Sequence, residues 1–395
     1  MIVGAGKNLS LKMLTDENPL TKVQSETISL LRFPMALLVI LIHTDGYYQT
    51  WQTDVDLLSC EGVCFLLGYI IRLFAGIAVP TFFMISGFLF FNNFREFTWN
   101  GYKKKMKSRV KSLILPFFLW NVLVWAVLLV GKIAMMYYKG ESWDYVINYL
   151  AEKNWHFLWD INHWGDVDHP WLWWTTYTTG PIDLPLWFLR DLIVVTVLSP
   201  LIYWVVKTLK IASILILLVA YVLDLWVVWH GFRITAFFYY SLGVYFAING
   251  KNIVEFCERY SKVIVSAMAV FFALSLTRWI TEDYKSIVKN LFYVSAVLSS
   301  FYVASRFVIS KGAKANPLLV ASCFFVYACH AAAIPKAPLH IIKKVFHVVI
   351  PGDTYWERIL CYLVVPCVTA AALVFAYWLL MRWFPKVGKL FCGGR

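Results

Sequence analysis

The sequence predicts an all-α fold: a polytopic transmembrane helix bundle of about ten spans with both termini cytoplasmic. Three observations carry that expectation. Stretches of roughly 20 mostly apolar residues, the length needed to cross a bilayer, recur along the whole chain. Of the 395 residues, 60% are hydrophobic and only 15% charged, whereas a soluble domain runs near half apolar and about a quarter charged. The basic residues also fall on alternate loops, which orients a membrane protein.

Taken in order, the expected spans are 28–47, 62–91, 112–136, 184–206, 211–229, 233–249, 261–279, 288–307, 317–335 and 357–383. The first 27 residues are polar and form a cytoplasmic N-terminal segment. The first apolar stretch has an arginine inside it and reads as a retained helix rather than a removed leader. The second span is long and carries Pro80, which invites a kink. Loop 92–111 holds Arg95, Lys103, Lys104, Lys105, Lys107, Arg109 and Lys111 against Glu96 alone. Loop 44–61 has no Lys or Arg and carries Asp45, Asp54, Asp56 and Glu61. The positive-inside rule therefore puts both termini in the cytoplasm, as an even span count requires. The transmembrane domain covers 28–384, and 385–395 is a cytoplasmic tail.

The formal charge of +13 does not indicate nucleic acid, because the basic residues sit in short loops between apolar spans and no nucleic-acid motif accompanies them. Membrane lipid is the expected partner of that charge. The eight cysteines include no CxxC pair. Cys60 and Cys64 share a helical face, yet buried thiols are the simpler reading. No metal is expected.

The outer loop, about 137–183, contains Trp143, Trp155, Trp159, Trp164, Trp171, Trp173 and Trp174 with His156, His163 and His169. Indole faces suit sugar rings, and an interfacial aromatic belt explains them equally well. The histidines have no HExxH arrangement.

The most informative segment is LLRFPMALLVILIHTDG. Arg32 and His43 lie in an apolar helix, where an ionisable group is costly and faces a cavity or a partner. Eleven residues at about 100° each bring the two to one face, roughly 16 Å apart along the axis. Arg32 lies toward the cytoplasmic end and His43 toward the outer end, beside Asp45. A guanidinium suits a phosphate-rich ligand. A histidine suits proton transfer near neutral pH, helped by a carboxylate that holds its tautomer. Snorkelling of Arg32 and helix capping by His43 are the structural alternatives.

At these residues the chain resembles the acyltransferase-3 family of integral membrane O-acyltransferases. Arg32 and His43 match the Arg and His of that family's first membrane helix. PTFFMISGFLFF (Pro80–Phe91), with Ser86 and Gly87, resembles its next segment. KSRVKSLILPFFLWN, around Arg109 and Pro116, PLWFLRDL, with Trp187, Arg190 and Asp191, and FFVYACH, with Tyr327 and His330, follow in the family's order, from about 26 to 384. The resemblance implies transfer of an acyl group, usually acetyl, from cytoplasmic acyl-CoA to a hydroxyl of an extracytoplasmic glycan or lipid-linked sugar. It implies His43 as catalytic base, aided by Asp45. Arg32, Ser86, Gly87 and Arg109 are expected on the acetyl-CoA side, and Trp187, Arg190, Asp191, Tyr327 and His330 on the acceptor side. A bacterial cytoplasmic membrane is the expected location. A transporter or flippase using Arg32 and His43 for coupling is the alternative reading.

Overall fold

The computed structural model describes the chain apart from residues 1–21, 45–58, 93, 95, 154, 160–179, 228, 278–280, 333–337, 352–353 and 395. Among the described residues the regular structure is helical. The chain runs through α1 (Lys22–Thr44), α2 (Cys60–Ala75), α3 (Ala78–Phe91), α4 (Trp99–Arg109), a π-turn (Val110–Ile114) and α5 (Leu115–Lys139). It continues with α6 (Asp144–Lys153), α7 (Trp187–Val197), α8 (Ser199–Leu209), α9 (Ile211–Val222), α10 (Ile234–Ile248), α11 (Ile253–Arg259) and α12 (Ser261–Ser275). It ends with α13 (Glu282–Lys311), α14 (Pro317–Cys329), α15 (Leu339–Val349), α16 (Tyr355–Trp383) and α17 (Pro385–Phe391).

Helices are what such apolar segments must form, because only a helix satisfies its own backbone without water. Side-chain hydroxyls obey the same constraint: Thr27, Thr44, Thr81 and Thr369 each donate to the carbonyl four residues back. Helix ends are specified locally. Asn316 accepts from the amides of Leu318 and Leu319 ahead of Pro317, and Thr354 forms a capping box with Glu357.

Each of the ten expected spans falls on one of these helices or helix pairs. Among the described residues five segments are long and apolar enough to cross a bilayer, Lys22–Thr44, Cys60–Phe91, Trp99–Lys139, Tyr284–Lys311 and Tyr355–Trp383, and the bent pair Leu184–Val197 and Ser199–Leu209 makes a sixth if it is one span. Helices α9, α10, α12 and α14 are apolar but shorter, at 12 to 15 residues, or roughly 18–22 Å at 1.5 Å per residue. The second span breaks at Gly76–Ile77, three residues before Pro80.

Two expectations are corrected. The basic stretch 92–111 is helical over most of its length, and α4 runs through the π-turn into α5. The segment 184–206 is not one straight span, because α7 and α8 meet at a 63° bend around Leu198. Part of the segment 137–183 packs against α5. Phe157 stacks on Trp125 of α5, and its carbonyl accepts from Ile182. The last turn of α7 lies against the basic helix α4, where the Tyr102 hydroxyl donates to the Val197 carbonyl at 3.0 Å, and its start at Trp187, ten residues earlier, is about 15 Å away.

Helices α3 and α10 make the closest pairing. A Cβ on Gly87 would lie 2.1 Å from the Tyr240 carbonyl, and one on Gly243 would lie 2.1 Å from the Met84 carbonyl. The two glycines let the backbones touch, the usual device for packing helices in lipid. This reassigns Gly87 from the coenzyme side to helix packing. Cys60 is exposed, Cys64 is buried, and no disulfide joins them.

Candidate active site

Helices α1 and α14 pack side by side and run in the same direction. At one level Arg32, Arg109 and Cys323 lie within electrostatic reach of one another. Further along both helices the rings of His43 and His330 approach to 5.1 Å between centroids. Cys323, Tyr327 and His330 are spaced four and three residues apart, so they form one stripe of α14. The 11-residue face of α1 is thus met by a facing stripe that ends on a second histidine.

His330 is fully buried at the C-terminus of α14. Its Nδ1 lies 2.7 Å from the Tyr327 carbonyl. A carbonyl only accepts, so Nδ1 carries the hydrogen and Nε2 keeps its lone pair. That Nε2 is buried and has no hydrogen-bond partner among the described residues. A neutral imidazole with an available Nε2 lone pair beside a second imidazole gives the two rings a route for passing a proton. The Tyr327 hydroxyl donates to the Pro185 carbonyl and fastens this stripe to the segment leading into α7.

Below the histidines, toward Arg32, a cavity of about 90 Å³ is bounded by α3, the π-turn, α7 and α14. Its polar lining is Ser86, Arg109, Cys323 and Tyr327, and its walls are Phe82 and Phe188 among others. Ser86 faces this cavity while its neighbour Gly87 faces α10. The π-turn directly after Arg109 inserts an extra residue into the helix. The Arg109 guanidinium also sits over the Phe90 ring at 5.7 Å.

Arg190 and Asp191 form a second polar group. Both are fully buried in the first turn of α7, with Arg190 Nε 3.0 Å from Asp191 Oδ1. Both side chains lie wholly inside the bundle. Arg190 Nη1 donates to the Trp159 carbonyl at 2.9 Å, and Arg233 Nε lies 3.6 Å from Asp191 Oδ2. Arg233 stacks over Trp187 at 4.2 Å. Phe188 connects this group to the first by touching Phe82, Phe83 and Tyr327.

Five residues here were not legible in the sequence. Cys323 and Arg233 have no motif of their own, and only folding brings them to the site. Asp183 is fully buried; its amide donates to Asn121 Oδ1 at 3.1 Å, and its carboxylate has no hydrogen-bond partner among the described residues. Arg72 and Lys343 reach the last turn of α1, at the carbonyls of Ile42 (3.4 Å) and Thr44 (3.5 Å), where cations suit the negative helix end. Arg72 alone carried a signal, as a charge inside an apolar span. Asp45 lies outside the described residues, as do His163, His169, Trp164, Trp171, Trp173 and Trp174.

A family model described as an acyltransferase domain (acyltransferase-3) matches residues 26–381. The chain is also 27% identical over 263 residues to the succinoglycan biosynthesis protein ExoH of Rhizobium meliloti (strain 1021). That alignment covers 64% of this chain and 62% of the relative, less than two thirds of the relative's own length. No solved structure matches.

Proposed function

The chain belongs to the acyltransferase-3 family, and from that premise we propose that it is a membrane O-acyltransferase carrying an acetyl group from cytoplasmic acetyl-CoA to a hydroxyl of an extracytoplasmic glycan or lipid-linked sugar. The observation that carries the reading is the path along α1 and α14. Two guanidinium groups lie at one end of it and two facing imidazoles at the other.

The residues divide the work by chemistry. Arg32 and Arg109 hold the phosphate-bearing donor, as planar guanidinium groups do. The thioester lies in the cavity with Ser86 and Tyr327. A cavity of about 90 Å³ supports a small acyl group. His43 removes the proton of the acceptor hydroxyl as its oxygen attacks the thioester carbonyl. The C–O bond forms, the C–S bond breaks, and the coenzyme leaves as a thiolate toward the arginines. His330 Nε2 receives the proton from His43, and the thiolate is its final acceptor, so the reaction as a whole moves one proton from oxygen to sulfur. Asp45 is assigned to hold the His43 tautomer. Trp187, Arg190 and Asp191 face the acceptor, with Arg233 added to that group. The relative named for succinoglycan biosynthesis supports a glycan acceptor. The basic helix α4 supports donor entry from the cytoplasm, and the relative from Rhizobium meliloti supports a bacterial cytoplasmic membrane.

The test is binding and transfer of acetyl-CoA by the purified chain in nanodiscs. Saturable binding, weakened by Arg32→Ala, and transfer abolished by His43→Ala in a correctly inserted protein are expected. Absence of acetyl-CoA binding by folded wild type, together with substrate flux in liposomes, would replace this reading with a transporter or flippase.

A further inference from the structure

A second feature lies away from the acyl-transfer path, on the outer surface of the bundle where α1, α14 and α16 meet. There a groove of about 660 Å³ is lined almost wholly by apolar side chains, including Phe33, Leu319, Ala371, Phe375 and Trp378. It exists because α16 offers the small side chains of Ala370 and Ala371 between two larger walls. In an integral membrane protein such a groove opens on lipid rather than water, so a hydrocarbon chain is the chemistry that fills it. Phe375 and Trp378 are 59% and 41% exposed, which leaves the groove accessible from the side.

One end of the groove is strongly basic. The Arg382 guanidinium sits 5.4 Å above the Trp378 ring, one turn beyond the last lining residue of α16. Lys314 precedes Leu318, a lining residue of α14. Residues 307–320 and 378–394 contain no Asp or Glu, while Lys311, Lys314, Arg382, Lys386 and Lys389 fall within them. Apolar length ending in a concentration of positive charge is the complement of a lipid with an anionic head.

We propose that this groove is a binding site for an anionic phospholipid of the surrounding bilayer, with one acyl chain along Phe33, Ala371 and Phe375 and its phosphate at Arg382. The proposal is independent of the acyl-transfer reading.

Native mass spectrometry of the full chain, released from nanodiscs of equal phosphatidylglycerol and phosphatidylcholine, tests it. Wild type is expected to retain phosphatidylglycerol in preference to phosphatidylcholine. Ala371→Phe fills the groove from an exposed position and should remove the bound lipid. Ala372→Phe, on an exposed neighbour outside the groove, should retain it. Arg382→Gln should lower the preference for phosphatidylglycerol roughly fivefold, the worth of one cation at an anionic membrane surface. Equal retention of the two lipids by wild type, or undiminished phosphatidylglycerol on Ala371→Phe, would overturn the proposal.

Discussion

His330→Asn separates a proton-carrying histidine from one that merely fills space. The asparagine amide can take over the Nδ1–H donor, which lies 2.7 Å from the Tyr327 carbonyl, and it has no counterpart of the partnerless Nε2. The hydrogen bond at risk is worth about 0.5–1.5 kcal/mol, and the variant preserves its donor. The expected stability loss is about 1–3 kcal/mol, from the smaller side chain in a fully buried site and the amide oxygen it buries there. Proton transfer in a general-base step is worth typically 10²–10⁴-fold, or about 2.7–5.4 kcal/mol of transition-state stabilisation, and breaking the relay behind the base His43 forfeits at least the lower figure. Two assays read these quantities separately: thermal unfolding of the purified protein, and kcat/KM for transfer from acetyl-CoA in membranes. A near-normal melting temperature with at least about a hundredfold loss of kcat/KM is expected. Transfer within about threefold of wild type, below the smallest general-base effect, would remove His330 from the proton path.

Further expectations concern the donor end and the scaffold. Arg32→Lys keeps the charge and loses the planar fork, so KM for acetyl-CoA should rise while kcat changes little; an unchanged dependence on donor concentration would refute the assignment. Gly243→Ala puts a methyl group 2.1 Å from the Met84 carbonyl and should cost about 1–3 kcal/mol by overpacking; a wild-type melting temperature would count against the α3–α10 contact. Asn121→Leu removes the buried acceptor of the Asp183 amide, which should cost about 1–3 kcal/mol and loosen the segment leading into α7, read as increased proteolysis near Pro181.

The order of the apolar segments could be read from the chain, because lipid demands long apolar segments and rewards cations on one side, and both are properties of local composition. Arg32 and His43 stood out for a related reason: a charge among apolar residues is conspicuous by its cost. Ser86 and Arg109 were legible only through a resemblance in motif order, and their shared cavity required folding to bring α3, α7 and α14 together. Gly87 shows the limit of a local reading. A small residue has the same signature whether ligand or backbone comes close, and only the position of Tyr240 decides between them.

Tertiary structure alone decided three matters. It buried Arg190 and Asp191 as a pair on a segment that bends by 63°, because hydropathy reports that a segment is apolar and not where it bends. It paired His43 with His330, which are 287 residues apart in sequence (330 − 43), a contact that no helical period encodes. It also brought Arg233, Asp183 and Cys323 beside the path. From the chain alone each is an ordinary polar residue at the end of an apolar helix or within it, and its environment is made by helices distant in sequence.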